Sequence, residues 1–455
     1  MSFAIELAKK ANSICLDKLP KEAVHVAKRA IADTIGVAIA GSKSDFLPII
    51  ENASSAAPKD GLATKFGKAG RLAPLDAAFI NGIAAHALDF DDCSTTIGGH
   101  PSAPIVPALI ALGESRKAGG KDILQAYITG FEVETHLARA VMPYHYEKGW
   151  HPTATLGVFG AAAACGRLLG LDTGKLATAL AISTSLVCGH KANFGTPAKP
   201  LHVGQAARNG LMAALLADGG MNANLAAFEH DQGFFSLYGD GAANLSDCMA
   251  KVLDDWEGEL EILKPGISIK QHPCCGSAHS AIDAARKLYQ QFGPFDRQAV
   301  DNIEIAAHRR RLQHTNRPKP QDGLAAKFSV QFLTSKALCT GSIRLEDFVD
   351  GAFMKPQIVA LSEGIVVTPH ERDDEFLAEV NVTMSDGSRH SANASTRLGR
   401  GPENPMSDRE LEEKFLDCSG NVLGQSAAQG VFEDLMLLDH CGSIAEITAR
   451  LSVCP

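Results

Sequence analysis

Between His86 and His100 the chain reads His86-Ala-Leu-Asp89-Phe-Asp91-Asp92-Cys93 and then Gly98-Gly99-His100-Pro101, so fifteen positions hold two imidazoles, three carboxylates and a thiol. Such a set can take up, hold and return protons or attack an electrophile, and a structural turn has no need of that density. Upstream, the segment from Pro74 to Leu88 carries apolar residues such as Phe79, Ile80 and Ile83 at helical spacing. The acidic cluster therefore falls at a helix C-terminus, where the macrodipole disfavours negative charge. Residues that break a local rule in this way are more often kept for function than for stability.

The elements that must position this cluster are mostly helices. Pro20 suits a first turn, and Val24, Ala27, Ile31 and Ile35 follow at spacings of three and four. Further helices are predicted at 104–116, 121–140, 153–169, 173–187, 200–218 and 244–255. Their Gly and Ala residues, for example Gly157, Gly160, Ala161 and Ala164, let helices approach closely. Near Leu260-Glu-Ile-Leu-Lys-Pro-Gly-Ile-Ser-Ile-Lys270 the pattern turns strand-like. Ile303–Ala306 and Ala378–Met384 alternate as strands, the second running into a hairpin turn at Ser385-Asp386-Gly387-Ser388, and helices are predicted at Ser277–Tyr289 and Gly323–Cys339. After Gly401-Pro-Glu-Asn-Pro, Ser407 and Glu410 form a capping-box pair that opens a last helical stretch. The expected fold is mainly α: a large all-helical domain built from both chain ends, 1–259 and 396–455, with a smaller α+β domain, 260–395, inserted.

With 455 residues and 45% hydrophobic content the chain can bury a large core. A net charge of −9 without a long block of one sign argues against nucleic acid or an anionic membrane as partner and favours a small-molecule ligand. Eleven cysteines without paired spacing, and an amino terminus without a signal-like pattern, read as reduced thiols and a cytoplasmic protein. No apolar run reaches membrane-spanning length.

Several motifs in order resemble the MmgE/PrpD family, which includes 2-methylcitrate dehydratase, cis-aconitate decarboxylase and iminodisuccinate epimerase. They are Ala85-His-Ala-Leu-Asp-Phe-Asp-Asp92 with Gly99-His-Pro-Ser102, Gly149-Trp-His-Pro-Thr-Ala-Thr-Leu-Gly157, Lys199-Pro-Leu-His-Val-Gly204, Ile269-Lys-Gln-His-Pro-Cys-Cys275 leading to His279, Lys327-Phe-Ser329, and Gly401-Pro-Glu-Asn-Pro with Lys414-Phe415. The resemblance implies a helical domain made from both chain ends, a mid-chain α+β lid, a homodimer, a site between the domains, and chemistry without metal or organic cofactor. Carried over by position, the site would comprise Asp89, Cys93, His100, His151, Lys199, Lys270, Cys275 and His314. Cys93 stands where a Thr is usual, and Cys275 and His314 stand where the decarboxylase branch has His and Tyr. The run around Asp89 and His100 looks closest to the iminodisuccinate epimerase branch.

These activities share a di- or tricarboxylate substrate and a bond made or broken beside a carboxylate. A carbanion next to a carboxylate demands a base together with fixed positive charge. Lys199 and Lys270 would clamp carboxylates, with His314 a further substrate contact. His100 and His151 would move protons, Asp89 would orient an imidazole, and Cys93 or Cys275 would supply an opposing acid. His151, placed before Pro152 at a helix start, should be kept neutral by the dipole. Two thiols at a proton-transfer site tilt this reading toward epimerisation, with the dehydratase and decarboxylase types as the alternative.

Plainer roles exist for several of these residues. His86 and His202 read as structural hydrogen-bonders, Asp92 or Asp91 as a cap, Cys274 as a buried small hydrophobe, and Arg309-Arg-Arg311 as a solvated strand end. Two other classes compete: an Mg²⁺-dependent diphosphate enzyme, for which no second acidic site is found, and a non-catalytic helical scaffold, which would have little use for His100, His151, Lys199 and Lys270 in one cleft.

Overall fold

The computed structural model describes all residues except Met1, 55–60, 241–243, 255, 257, 350, 397–398 and 454–455, together with the side chain of His314. The chain is mainly α and divides into two compact units, Met1–Ile269 with Pro405–Pro455, and Lys270–Asn404.

In the first unit, helices α1 (Lys21–Gly41), α2 (Pro74–His86), α3 (Ser102–Arg116), α4 (Gly120–Val141), α5 (Gly157–Leu168) and α6 (Ala198–Asp218) form the body. Helix α6 packs on both α2 and α5. The contact with α2 is close because glycines face one another: a Cβ on Gly204 would lie 2.4 Å from the Phe79 carbonyl oxygen, and one on Gly82 would lie 2.9 Å from the Gly204 Cα. Any larger residue at either place would push apart the two helices that carry His86 and Lys199. One short hairpin, Ala63–Thr64 with Arg71–Leu72, interrupts an otherwise helical unit.

The segment 260–270 departs from expectation. Ile262–Gly266 is a wound segment broken at Lys264, whose backbone is extended (φ −152°, ψ 124°), and Ser268 makes an isolated antiparallel bridge with Cys93. Pro265 has no N–H to donate, which works against a ladder through the middle of this segment.

The second unit holds helices α7 (His279–Phe292) and α8 (Val330–Thr340) and a four-stranded sheet of β1 (Val300–His308), β2 (Ile365–His370), β3 (Leu377–Met384) and β4 (Arg389–Ser395) in the order β2-β1-β3-β4. β1 runs parallel to β2 and antiparallel to β3, and β3 and β4 form the hairpin read from Ser385–Ser388. β3 buries Ala378, Val380 and Val382 on one face, as its alternation requires, and α7 packs against β3 and β4. Arg309–Arg311 begin a short helix rather than ending a strand; Arg309 and Arg310 pair with Glu371 and Glu375 in a solvated setting, while Arg311 is largely buried between Glu375 and the Phe376 ring. Back in the first unit, α9 (Asp408–Leu423) opens on the capping box read from sequence: Ser407 N–H donates to Glu410 at 2.7 Å, and Glu410 N–H donates to the Ser407 hydroxyl at 3.2 Å.

Candidate active site

Helix α2 ends at His86, and the next turns carry the acidic cluster. Asp89 takes a left-handed backbone with φ of 54°, a costly conformation for a side-chain-bearing residue. The turn from Ser94 to Gly99 closes with Ser94 N–H to the Gly99 carbonyl at 2.9 Å, with Gly98 at φ 64°, and returns His100 to the cluster. His100 N–H donates to the Thr153 hydroxyl at 3.0 Å, and Cys93 exchanges two backbone hydrogen bonds of 2.8 Å with Ser268.

Two carboxylates organise what results. Asp89 Oδ1 lies 2.6 Å from Lys199 Nζ, at the start of α6, and 3.8 Å from His100 Nε2. Asp91 Oδ2 lies 2.7 Å from His86 Nδ1 and 3.2 Å from His100 Nδ1. Burial pushes the Asp91 carboxyl up, but His100 and His86 outweigh it and hold it well below the usual range. Burial, with Lys199 and His100 beside it, pushes His86 down to about 4 against the pull of Asp91. At neutral pH, then, His86 is uncharged, donates its Nδ1–H in a hydrogen bond to the Asp91 anion and carries a lone pair on Nε2, an atom with no hydrogen-bond partner among the described residues.

His151 completes the group. Its ring centroid lies 5.8 Å from that of His86, its Nδ1 lies 3.4 Å from His202 Nδ1, and its Nε2 has no partner among the described residues. It is held well below its ordinary pKa, as anticipated, but the first cause is burial, followed by His86 and Lys199. The helix it precedes, Pro152–Thr155, is a single turn and offers little dipole. Cys93 Sγ sits 3.7 Å from His100 Nδ1.

Asp92 and Lys414 support the cluster from behind. Asp92 accepts from the Ser102 N–H at 3.3 Å and from its hydroxyl, which also lies 2.6 Å from Tyr127 Oη, so it caps α3. Burial lifts its pKa to about 7. Lys414 of α9 reaches the Asp33 carboxylate at 2.6 Å and the Phe90 carbonyl at 2.9 Å, tying the carboxy-terminal segment to the acidic turn.

The structure thus gathers Asp89, Cys93, His100, His151 and Lys199 in the first unit and adds His86 and Asp91, which sequence reasoning ranked as structural or uncertain. Their signal was present: His86 ends the helix that leads into the acidic turn. Lys270 and Cys275 belong to the second unit, where Cys275 N–H donates to the Lys327 carbonyl at 3.0 Å. The side chain of His314 lies outside the described residues.

Donor atoms of His86, Asp89, Asp91 and His100 lie within 4.8 Å of one another, close enough to surround a metal ion. Two imidazoles among four donors do not suit Mg²⁺, which prefers oxygen, so the diphosphate-enzyme reading loses its motif. The convergence of these groups also removes the basis for a plain scaffold. Among the described residues no helix is long and apolar enough to cross a membrane.

Comparison with known proteins shows the family. Residues 5–245 match the MmgE/PrpD N-terminal domain and 272–436 the MmgE/PrpD C-terminal domain. The chain is 29% identical to a human (Homo sapiens) cis-aconitate decarboxylase over 95% of this chain and 91% of the relative. It is 30% identical to that of Mus musculus over 94% and 90%, and 25% identical to that of Aspergillus terreus over 99% and 96%. The relatives are decarboxylases, and none of these matches singles out the epimerase branch. This chain is an enzyme of the MmgE/PrpD family.

Proposed function

We propose that the protein is a lyase that removes a carboxylate from a small unsaturated tricarboxylate, in the manner of cis-aconitate decarboxylase. The observation that carries this reading is the meeting of Lys199, Asp89 and the buried imidazoles His86, His100 and His151 in one cluster. Lys199 binds a carboxylate that stays on the substrate, with Asp89 fixing its ammonium. As CO₂ leaves, the electron pair of the broken C–C bond is taken into the unsaturated dicarboxylate, and an imidazole proton closes the new C–H bond. The fixed charge of Lys199 stabilises the carbanionic transition state. Lys270 as a second carboxylate anchor, His314 as a substrate contact and Cys275 as an acid rest on the family resemblance.

A second reading, epimerisation of an iminodisuccinate-like substrate, is favoured by one contact. Cys93, where a Thr is usual in the family, stands 3.7 Å from His100 and could serve as an opposing acid. A panel of cis-aconitate, 2-methylcitrate and iminodisuccinate, followed by NMR with CO₂ detection, separates the two. CO₂ release from cis-aconitate is the expected result. Configuration change of iminodisuccinate without loss of mass would replace the lyase by the epimerase, and inertness toward all three would refute both.

A further inference from the structure

A row of imidazoles leads from the surface into the site. His190 is exposed, His202 half-buried and His151 fully buried. Their ring centroids are 6.1 Å apart from His190 to His202 and 5.7 Å from His202 to His151, and the Nδ1 atoms of His202 and His151 are 3.4 Å apart. Beyond His151 the row continues to His86 at 5.8 Å and His100 at 4.6 Å.

The backbone fixes this row. Trp150 pairs with His190 in an isolated antiparallel bridge, His151 N–H donates to the Gly189 carbonyl at 3.2 Å, and Lys191 N–H donates to the Gly149 carbonyl at 2.7 Å, so the segments bearing His151 and His190 lie side by side. His202 follows Lys199 by three residues on α6 and so shares its face. Neutral imidazole has one donor and one acceptor nitrogen, the pair of sites a chain of proton transfers needs, and a gap as wide as that between His190 and His202 is one a single water can bridge.

We propose that His190 and His202 form a proton relay that connects His151 with solvent. The inference rests on the lyase reading, because decarboxylation consumes one proton per turnover whereas an epimerase can recycle its protons within the site. The step balances. A proton from bulk water protonates His202, directly or through His190. His202 Nδ1–H passes to His151 Nδ1, and the resulting imidazolium releases its Nε2–H to a carbon of the delocalised carbanion left by CO₂ loss, whose electron pair forms the C–H bond. Proton exchange through water, from Nδ1–H to Nε2 of the neutral His151 ring, restores the starting tautomer. His190 and His202 touch no reacting atom and are relay residues, while His151 is the group that delivers.

Two measurements on His202→Gln and on the exposed-site variant His190→Ala test this, with thermal melting to establish that both are folded. In ¹⁵N-histidine-labelled protein, exchange of the His151 ring N–H with water should slow about tenfold in His202→Gln and less in His190→Ala. With cis-aconitate in dilute buffer, kcat of His202→Gln should fall about tenfold at unchanged KM and recover on addition of imidazole. Wild-type exchange in His202→Gln, an unchanged kcat in dilute buffer, or a loss that imidazole does not restore would each overturn the relay. If the wild-type enzyme turns over no polycarboxylate, the lyase reading fails, and the exchange measurement alone still decides whether the relay exists.

Discussion

Each unit of the protein carries a buried cluster of histidine and aspartate, and the two clusters use their carboxylates differently. In the second unit His272 Nε2 lies 3.0 Å from Asp283 Oδ1, and Thr396 donates to Asp283 Oδ2 at 2.6 Å. His279 Nε2 donates to the His272 carbonyl at 3.2 Å. Both carboxylate oxygens are occupied, and the net effect is to pin the loop after Lys270 to α7 and to the end of β4. In the first unit Asp91 spends one oxygen on two imidazoles and leaves Oδ1 without a partner among the described residues, while His86 and His151 each leave Nε2 open. A lysine also stands beside the open set, at 2.6 Å from Asp89. The second cluster also leaves a nitrogen open among the described residues, His279 Nδ1, so what separates the two is the carboxylate: Asp283 has both oxygens occupied, whereas Asp91 leaves one open.

The largest expected break is in the first cluster. Asp91→Asn should lower kcat by about 10³- to 10⁴-fold, because the amide can turn its NH₂ toward His86 and force the wrong tautomer, with the fold retained by circular dichroism. Lys199→Ala should lower kcat/KM by about 10²- to 10³-fold with little change in melting temperature, the loss expected for one charge-stabilising group. Activity within a few-fold of wild type in either variant would erase the distinction drawn here.

The second cluster should answer in stability instead. Burial pushes Asp283 up, but its hydrogen bond and charge contact with His272 and the Thr396 hydroxyl outweigh it and hold it at about 2. A folded pKa below the unfolded value near 3.8 means stabilisation that is complete above about pH 4 and lost as pH falls through about 2. Asp283→Asn should cost about 2 kcal/mol in urea unfolding at pH 7, and the difference from wild type should shrink toward pH 2, with kcat changed only a few-fold. Thr396→Val, which removes one hydrogen bond to Asp283, should cost about 1 kcal/mol and leave kcat unchanged. A large kcat loss without loss of stability in either variant would move the second cluster into the chemistry.

Much of the helical body was legible because apolar spacing and turn residues are local signals: Ser407 and Glu410 marked the start of α9 to the residue, and the alternation at 378–384 marked β3. The strand expected near 260–270 failed because Pro265 removes a donor that periodicity does not register. In the site, Asp89, His100, His151 and Lys199 were found by motif. His86 and Asp91 were underrated because their importance lies in a 2.7 Å contact folded out of a tight turn, and His202 because its partner His151 is fifty-one residues away. The support from Lys414 crosses still more of the chain, from α9 to Phe90, and only the tertiary fold brings it there.

The most direct test of the central claim is the isotopic balance of one turnover: cis-aconitate supplied in D₂O, with CO₂ and the deuterium content of the product measured together. One deuterium in the product for each CO₂ released, at a rate lowered about 10²- to 10³-fold in Lys199→Ala, is the predicted result. CO₂ release within a few-fold of wild type in Lys199→Ala, or deuterium exchange without any CO₂, would contradict it.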